Sequence, residues 1–553
     1  MVTNQELANL IFPDVNETIE DLEKRYPKRN LAEGAEVTRF APSPTGFLHT
    51  GSLFTAMICQ KVAKQSNGVF YVRLEDTDTK REISGSGEQL LSQLRLFNVV
   101  PNEGYLASEE KGDYGPYCQS KRADIYKIAI KKLLIEGRAY PCFCTQEELD
   151  EIRRKQEEQK LIPGYYGPFA RDRFLSNEER VERIKNGEKY VIRFKSEGNH
   201  INKIKVHDLV HGDFEIAQND QDIVIFKSDG LPTYHFAHAV DDHFMRTTTV
   251  IRGEEWISSL PIHVELFDAL GFEAPKYAHL PVIMKVDENT GNRRKLSKRH
   301  DSEAAVSFFL EDGYPSEALI VYLMTIANSN FEQYLFDNDY RNLDEFSFAF
   351  DKMSLDGALF DINKLQFFAK EILGRKTKHQ MLELAKAYAE KYDAKLLELI
   401  NKDPNYFEEI MNIEREKENP RKDYYKFGGM ADIIAFFYKE EFEKLEMAPF
   451  NEKFDNATIK EVLTRLKELD LNLDESMWFE QMKEIGASLK FAPNGKLLKK
   501  EPENYIGSIG DVAEMLRITL TARKNAPNPY YVMKILGKEE CLRRFDKAIS
   551  KLN

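Results

Sequence analysis

The sequence predicts an α/β core that carries an inserted subdomain and is followed by an all-α C-terminal region. Three observations predict it. Apolar strand-like runs alternate with helical periodicity over residues 37–137 and again over 223–300. A charged stretch of different texture, 138–222, separates the two. Beyond His300 only helical spacing remains, as in Met381, Ala385, Tyr388 and Tyr392 or Ile459, Val462, Leu463 and Leu466. A chain of 553 residues has room for such a division, since a single core stops growing at about 250–300 residues.

Composition narrows the class. With 42% hydrophobic and 31% charged residues this is ordinary globular material. No apolar run reaches membrane-spanning length and the acidic N-terminus is no signal peptide, so a cytoplasmic location without membrane contact is expected. A net charge of −14 excludes a uniformly basic coat but leaves room for a local basic face. The five cysteines, odd in number and mostly isolated, suit a reducing compartment.

Residues 1–36 precede the first strand and read as an extension with a helix or two. The first strand ends at Phe40 and Ala41, Pro42 and Pro44 stiffen the following loop, and a helix starts at 50–52. Amides at such a helix start can hold a phosphate. The next strand, 68–74, runs into Glu75, Asp76 and Asp78. Ligands gather at the carboxyl ends of strands in open α/β sheets, which singles out Glu75. Helices follow at 84–97 and 122–137, with Leu90, Leu94, Ile125, Ala129 and Leu133 at helical spacing.

The insertion opens on Cys142 and Cys144, continues with a helical stretch over 146–160, and carries strands at 190–194 and 207–210, read as belonging to a smaller subdomain. Two cysteines make half a structural zinc site, and zinc needs four ligands. His200, His207 and His211 lack a matching spacing, so a metal-free remnant is expected. A strand at 222–226 then leads to Tyr234, His235, His238, Asp241, Asp242 and His243. That set suits either a metal cluster or a pocket wall. The spacing need not converge on one ion, which favours the wall. A strand ending in Arg252, Glu254 and Glu255 follows, and then a basic loop, Lys295-Leu296-Ser297-Lys298-Arg299.

Residues 39–46, Arg-Phe-Ala-Pro-Ser-Pro-Thr-Gly, with His49-Thr50-Gly51 behind them, resemble the signature opening of the glutamyl-tRNA synthetases, bacterial-type class I aminoacyl-tRNA synthetases. The blocks 232–243, 250–256 and 295–299 resemble three further motifs of that family. The likeness runs from about residue 37 to the end and is thinnest between about 376 and 500. It implies a Rossmann-like class I catalytic core in two halves, 37–137 and 223–300. An acceptor-binding subdomain would be inserted at 138–222, a helical stem-contact junction would span 301–375, and an all-α anticodon-binding domain 376–553.

The resemblance further implies ATP-dependent ligation of glutamate to tRNA(Glu) through a glutamyl-adenylate, by a monomer using ATP and Mg2+. Some members of the family carry zinc at the place of Cys142 and Cys144, but with only that pair in ligand-like spacing neither zinc nor another protein-bound metal is expected here. His49 and Lys298 would be catalytic. Arg39, Ser43, Glu75, Tyr234, His238 and Arg252 would hold glutamate. ATP would meet His49, Gly51, Glu255, Ile283, Lys295, Leu296, Ser297, Lys298 and Arg299. The alternatives are a glutaminyl enzyme, or one that also charges tRNA(Gln) with glutamate. Adenylate formation without tRNA charging is disfavoured by the roughly 250 residues that follow Lys298. One departure stands out: Thr50 occupies a position more often aliphatic, and would pack through its methyl or cap the helix. Arg39→Ala is expected to abolish glutamate activation with the fold intact, as read by ATP–pyrophosphate exchange.

Overall fold

The structure is a computed structural model that describes every residue except Thr45, 79–84, Glu288, Lys298 and Asn553. The chain divides into two compact units, residues 1–309 with 319–362, and residues 310–318 with 363–553.

The first unit opens with helices α1 (Asn4–Ile11) and α2 (Ile19–Arg25), each closed at its N-terminus by a capping box from Thr3 or Thr18. Strand β1 (Val37–Phe40), helix α3 (Thr50–Gln65), β2 (Val69–Val72), α4 (Ser86–Leu96), β3 (Glu103–Tyr105), β4 (Glu110–Lys111) and α5 (Ala123–Ile135) follow. The insertion contributes β5 (Ala139–Cys142), α6 (Gln146–Glu158), α7 (Asn177–Lys185), β6 (Val191–Phe194), β7 (Lys203–Asp208) and β8 (Gly212–Ala217). The remaining elements around the site are β9 (Val224–Phe226), α8 (Tyr234–Phe244), β10 (Thr249–Gly253), α9 (Leu260–Leu270), β11 (Lys276–Leu280), β12 (Ile283–Val286) and β13 (Arg293–Lys295).

Eight strands form the main sheet in the order β4-β3-β2-β1-β10-β11-β7-β8. The five central pairings, from β3 through β7, are parallel, and β4 and β8 close the edges antiparallel. β1 is buried along its whole length, as a central parallel strand covered on both faces must be. The chain leaves β1 toward β2 on one side and returns as β10 on the other. That reversal of strand order opens a crevice at the carboxyl ends of β1 and β10. Behind the sheet, Ile125 and Leu133 of α5, Phe236 and Val240 of α8 and Leu266 and Phe267 of α9 form one core, which also takes Ala8 of α1 and Phe12 just after it. The N-terminal extension is thereby an integral layer of this unit.

Two strand assignments differ from the sequence reading. The 207–210 strand is β7, ending at Asp208, and it joins the main sheet beside β11 through the Tyr277–Asp208 pair. Conversely β9 leaves the main sheet and pairs with β6 in a three-stranded sheet with β5. Periodicity reports that a segment is a strand, but partner choice depends on side chains far away in sequence. Here the carboxylate of Asp208 accepts hydrogen bonds from the backbone N–H groups of Val210, His211 and His279, which docks the end of β7 against β11.

The second unit is almost wholly helical around a core that includes Phe407, Leu463, Trp478, Met515 and Phe545. Its helices are capped by Thr377, Asp455, Asp474 and Ser508, residues that favour such starts. Met381 and Ala385 face the core as their spacing predicts, but Tyr392 at the end of that stripe is exposed. Tyr392 is the last residue of its helix, Lys378–Tyr392, where the buried face ends.

Candidate active site

The crevice at the β1–β10 reversal is a cavity of about 1200 Å3. Of the sequence-predicted residues it gathers Arg39, Ser43, His49, Gly51, Glu75, Tyr234, Arg252, Glu255, Ile283, Lys295 and Leu296 along its walls. Ser297 and Arg299 are not among the wall residues, and Lys298 lies outside the described residues.

One end is built on α3. His49 is its N-cap, with Nδ1 accepting from the Gly51 N–H at 2.9 Å. This fixes the neutral ring with its proton on Nε2. The same bond occupies the Gly51 amide, which the sequence reading had offered to a phosphate. A Cβ at position 51 would stand 3.2 Å from Nδ1, so glycine keeps this contact short. Thr50 neither caps the helix nor packs by its methyl alone. Its buried hydroxyl donates to the Glu303 carbonyl at 2.6 Å, tying the helix start to the chain just beyond the basic loop.

That loop leaves an antiparallel hairpin of β12 and β13. Arg294 grips Asp301 with a two-pronged pair of 2.6 and 2.8 Å and reaches Asp287 at 3.0 Å, while the Ser297 N–H donates to Asp301 at 2.9 Å. The Arg294 fork holds the Asp301 carboxyl far below its ordinary range. Both flanks of the basic loop are therefore pinned by charge-assisted hydrogen bonds.

The other end is a buried charge network. The Nε–H of Arg39 sits between the two oxygens of Asp242 at 3.1 and 3.2 Å, and Arg73 donates to Asp242 at 2.6 Å and to Glu75 at 3.1 Å. Asp241 points the other way, accepting from Gln119, Arg122 and Tyr126. The His-Asp block is thus helix α8, with Asp241 and Asp242 turned to different partners and a single His–Asp pair, His238 with Asp242 at 2.7 Å, so no three ligands of the block converge among the described residues. Burial raises the Glu75 pKa against the pull of Arg73 and Arg39. Asp242, although buried, is held well below the ordinary carboxylate range by Arg39, Arg73 and His238.

His238 does not line the cavity. It is fully buried behind Tyr234, with Nε2 3.1 Å from the Tyr277 hydroxyl, and burial holds it down at about 3 despite Asp242 beside it. Tyr234 packs instead on Trp256 with ring centroids 4.4 Å apart. Arg252 is bound differently from Arg39, by the imidazoles of His279 and His263 at 3.0 and 3.2 Å. Arg73, Trp256, His263 and His279 carried no role in the sequence reading. Only the Asp and Arg types near strand ends hinted at this second layer.

The insertion also assembles something its spacing did not show. Cys142, Cys144 and Asp172 place ligand atoms within 4.8 Å of one another, and the Tyr165 hydroxyl lies 3.5 and 3.2 Å from the two sulfurs. Asp172 already accepts from the Phe143 N–H at 2.7 Å.

Residues 36–367 match the catalytic domain of the tRNA synthetases class I (E and Q), and 380–549 match an anticodon binding domain. The chain belongs to the class I (E and Q) synthetases. It is 47% identical to a glutamate–tRNA ligase of Clostridium beijerinckii over 99% of both chains, and 41% identical to that of Acetivibrio thermocellus over 99% of this chain and 100% of the other. The crystal structure of a glutamate tRNA ligase from Elizabethkingia meningosepticum, in complex with its amino acid, superposes with a TM-score of 0.73 at 29% identity, covering 94% of this chain and all of the other. Every cavity residue named above falls inside the synthetase catalytic span.

The Asp242 pairing revises what substitution at Arg39 does. Asp242→Asn leaves two buried guanidinium groups facing an amide and should cost about 3–5 kcal/mol. Arg39→Ala leaves Asp242 with Arg73 and should cost less, while still abolishing glutamate activation. Denaturant unfolding of both variants checks the order, and equal stability of Asp242→Asn and the parent chain would refute the network.

Proposed function

We propose that the chain joins L-glutamate to tRNA(Glu) in two steps, through a glutamyl-adenylate. The single observation that carries this reading is one cavity with a carboxylate–arginine–tyrosine set at one end and a His-capped helix start at the other. Glu75 pairs the ammonium of glutamate. Tyr234 donates its hydroxyl, while Arg39 and Arg252 take carboxylates. At the other end His49 Nε2–H meets the triphosphate, and Lys298 neutralises charge on the same phosphates. Phosphoryl-type chemistry needs little more than this positioning and charge neutralisation. The glutamate carboxylate attacks the α-phosphorus, pyrophosphate leaves, and a ribose hydroxyl of tRNA then takes the acyl group from AMP.

Mg2+ favours phosphate oxygens and water and would neutralise charge on the triphosphate, with Glu255 at the same wall able to offer an oxygen. The 138–222 insertion would hold the acceptor end and the helices of 376–553 the anticodon, whose unpaired bases offer stacking faces and edges. The protein works as a cytoplasmic monomer. At Cys142 and Cys144 the hydrogen bonds to Tyr165 and from Phe143 to Asp172 satisfy the donors internally, which supports a metal-free subdomain.

Aminoacylation of purified tRNA(Glu) and tRNA(Gln) with labelled glutamate and glutamine should give glutamyl-tRNA(Glu). Incorporation of glutamine alone overturns the reading, and glutamate on both tRNAs widens the tRNA range while keeping the chemistry. Because the Glu75 pKa is raised, this carboxylate takes a proton earlier than an ordinary one as pH falls. Only its ionised form pairs the ammonium, so the KM for glutamate should rise on mild acidification. A KM flat across that range contradicts the role. Elemental analysis of the purified protein should find zinc well below one equivalent.

A further inference from the structure

Arg252 and Arg39 share one cavity but are held by opposite means. Arg39 rests on a carboxylate, as does Arg73. Among the described residues Arg252 has no carboxylate at ion-pair distance. Its Nε–H donates to His279 Nε2 at 3.0 Å and its Nη2 to His263 Nδ1 at 3.2 Å. Its Nη1 is buried and finds no hydrogen-bond partner among those residues.

A guanidinium only donates, so both facing imidazole nitrogens must be acceptors. The remaining bonds then follow. His279 carries its proton on Nδ1 and gives it to Asp208 Oδ2 at 2.7 Å, and Asp208 is in turn fixed by three backbone N–H groups. His263 carries its proton on Nε2 and gives it to His235 Nδ1 at 2.9 Å. One tautomer assignment satisfies the whole line from Asp208 to His235. Both imidazoles that meet Arg252 are fully buried, and burial keeps each below the ordinary histidine range, hence uncharged. The Trp256 and Tyr277 rings also lie against the Arg252 guanidinium, at 5.8 and 4.9 Å, and Tyr234, His235 and His238 on α8 are close enough to feel its charge.

We propose that His263 and His279 are positioning residues that orient Arg252 through neutral lone pairs, leaving its charge and its Nη1 for a carboxylate of the substrate. Two acceptors fix the plane of the guanidinium as firmly as a carboxylate would, yet cancel none of its charge. The proposal sets the side-chain carboxylate of glutamate at Nη1: that anion completes the site, whereas the side-chain amide of glutamine leaves a buried cation uncompensated, and the imidazoles thereby set the preference for glutamate over glutamine. This rests on the glutamate-activating function proposed above.

The test is ATP–pyrophosphate exchange on the full chain with tRNA present, using glutamate and glutamine in turn. Glutamate-dependent exchange by the parent chain must be seen first, since its absence defeats the proposed function itself. His263→Leu should raise the KM for glutamate tenfold or more with little change in kcat or in the KM for ATP. His263→Asn, whose Oδ1 stands where Nδ1 stood, should recover most of that loss. His263→Asp, which supplies an acceptor but neutralises Arg252, should shrink the glutamate-to-glutamine ratio of kcat/KM at least tenfold. Should the Asp variant fail to fold, the Leu–Asn pair decides alone. An active parent with a Leu variant of unchanged KM, or with an Asn variant no better than Leu, overturns the positioning role.

Discussion

The carboxylate of Asp242, shared by Arg39 and Arg73, is the interaction on which the site depends. It joins the two strands on one side of the sheet reversal, β1 and β2, to helix α8 leading into the strand on the other. Three cations and three acids are buried together there: Arg39, Arg73 and Arg122 against Glu75, Asp241 and Asp242. Isolated, any of them would be too costly to bury. As a set they balance, and the polar edge of that set forms one wall of the cavity. Desolvation pushes both acids up, but it prevails only at Glu75, whereas at Asp242 the Arg39 and Arg73 guanidinium groups outweigh it and hold the carboxyl down.

The opposite end of the cavity is organised by neutral hydrogen bonds and loop anchors. His49 is oriented by the backbone it caps, and the basic loop is suspended between Arg294 and Asp301. This division suits a site that must hold one small charged molecule rigidly and let a larger polyanion come and go. A balanced buried network resists rearrangement, whereas the Arg294–Asp301 fork sets a guanidinium still partly in water over a buried carboxylate.

Much of this was legible in the sequence because strand-ending polar residues have few places to go. Glu75 and Arg252 follow apolar runs, Lys295 follows a basic one, and the fold does bring all three to one cavity. The misses share a cause. His238 carried the same chemical promise as Tyr234, yet on α8 it faces the core four residues from Asp242. Asp172 and Tyr165 complete the cysteine cluster from a loop whose path no periodicity reveals. β7 and β9 exchanged sheets because pairing is decided by partners such as Asp208 and His279, 71 residues apart. Local pattern gives element type, and long-range hydrogen bonding gives neighbours.

The place of β1 in the middle of its sheet also constrains how the chain is made. Arg39 meets Asp242 across 203 residues, and β1 gains its second neighbour only when β10 has been synthesised. At translation rates of about 5–20 residues per second, that is an interval of roughly ten seconds or more. During it, β1 has an open edge and its arginine remains in water. The first hundred residues therefore cannot settle as a finished domain ahead of the rest. The inserted segment must leave the ribosome while the sheet around it is still half built, and the last strands of the core close over a site whose first residues have waited longest.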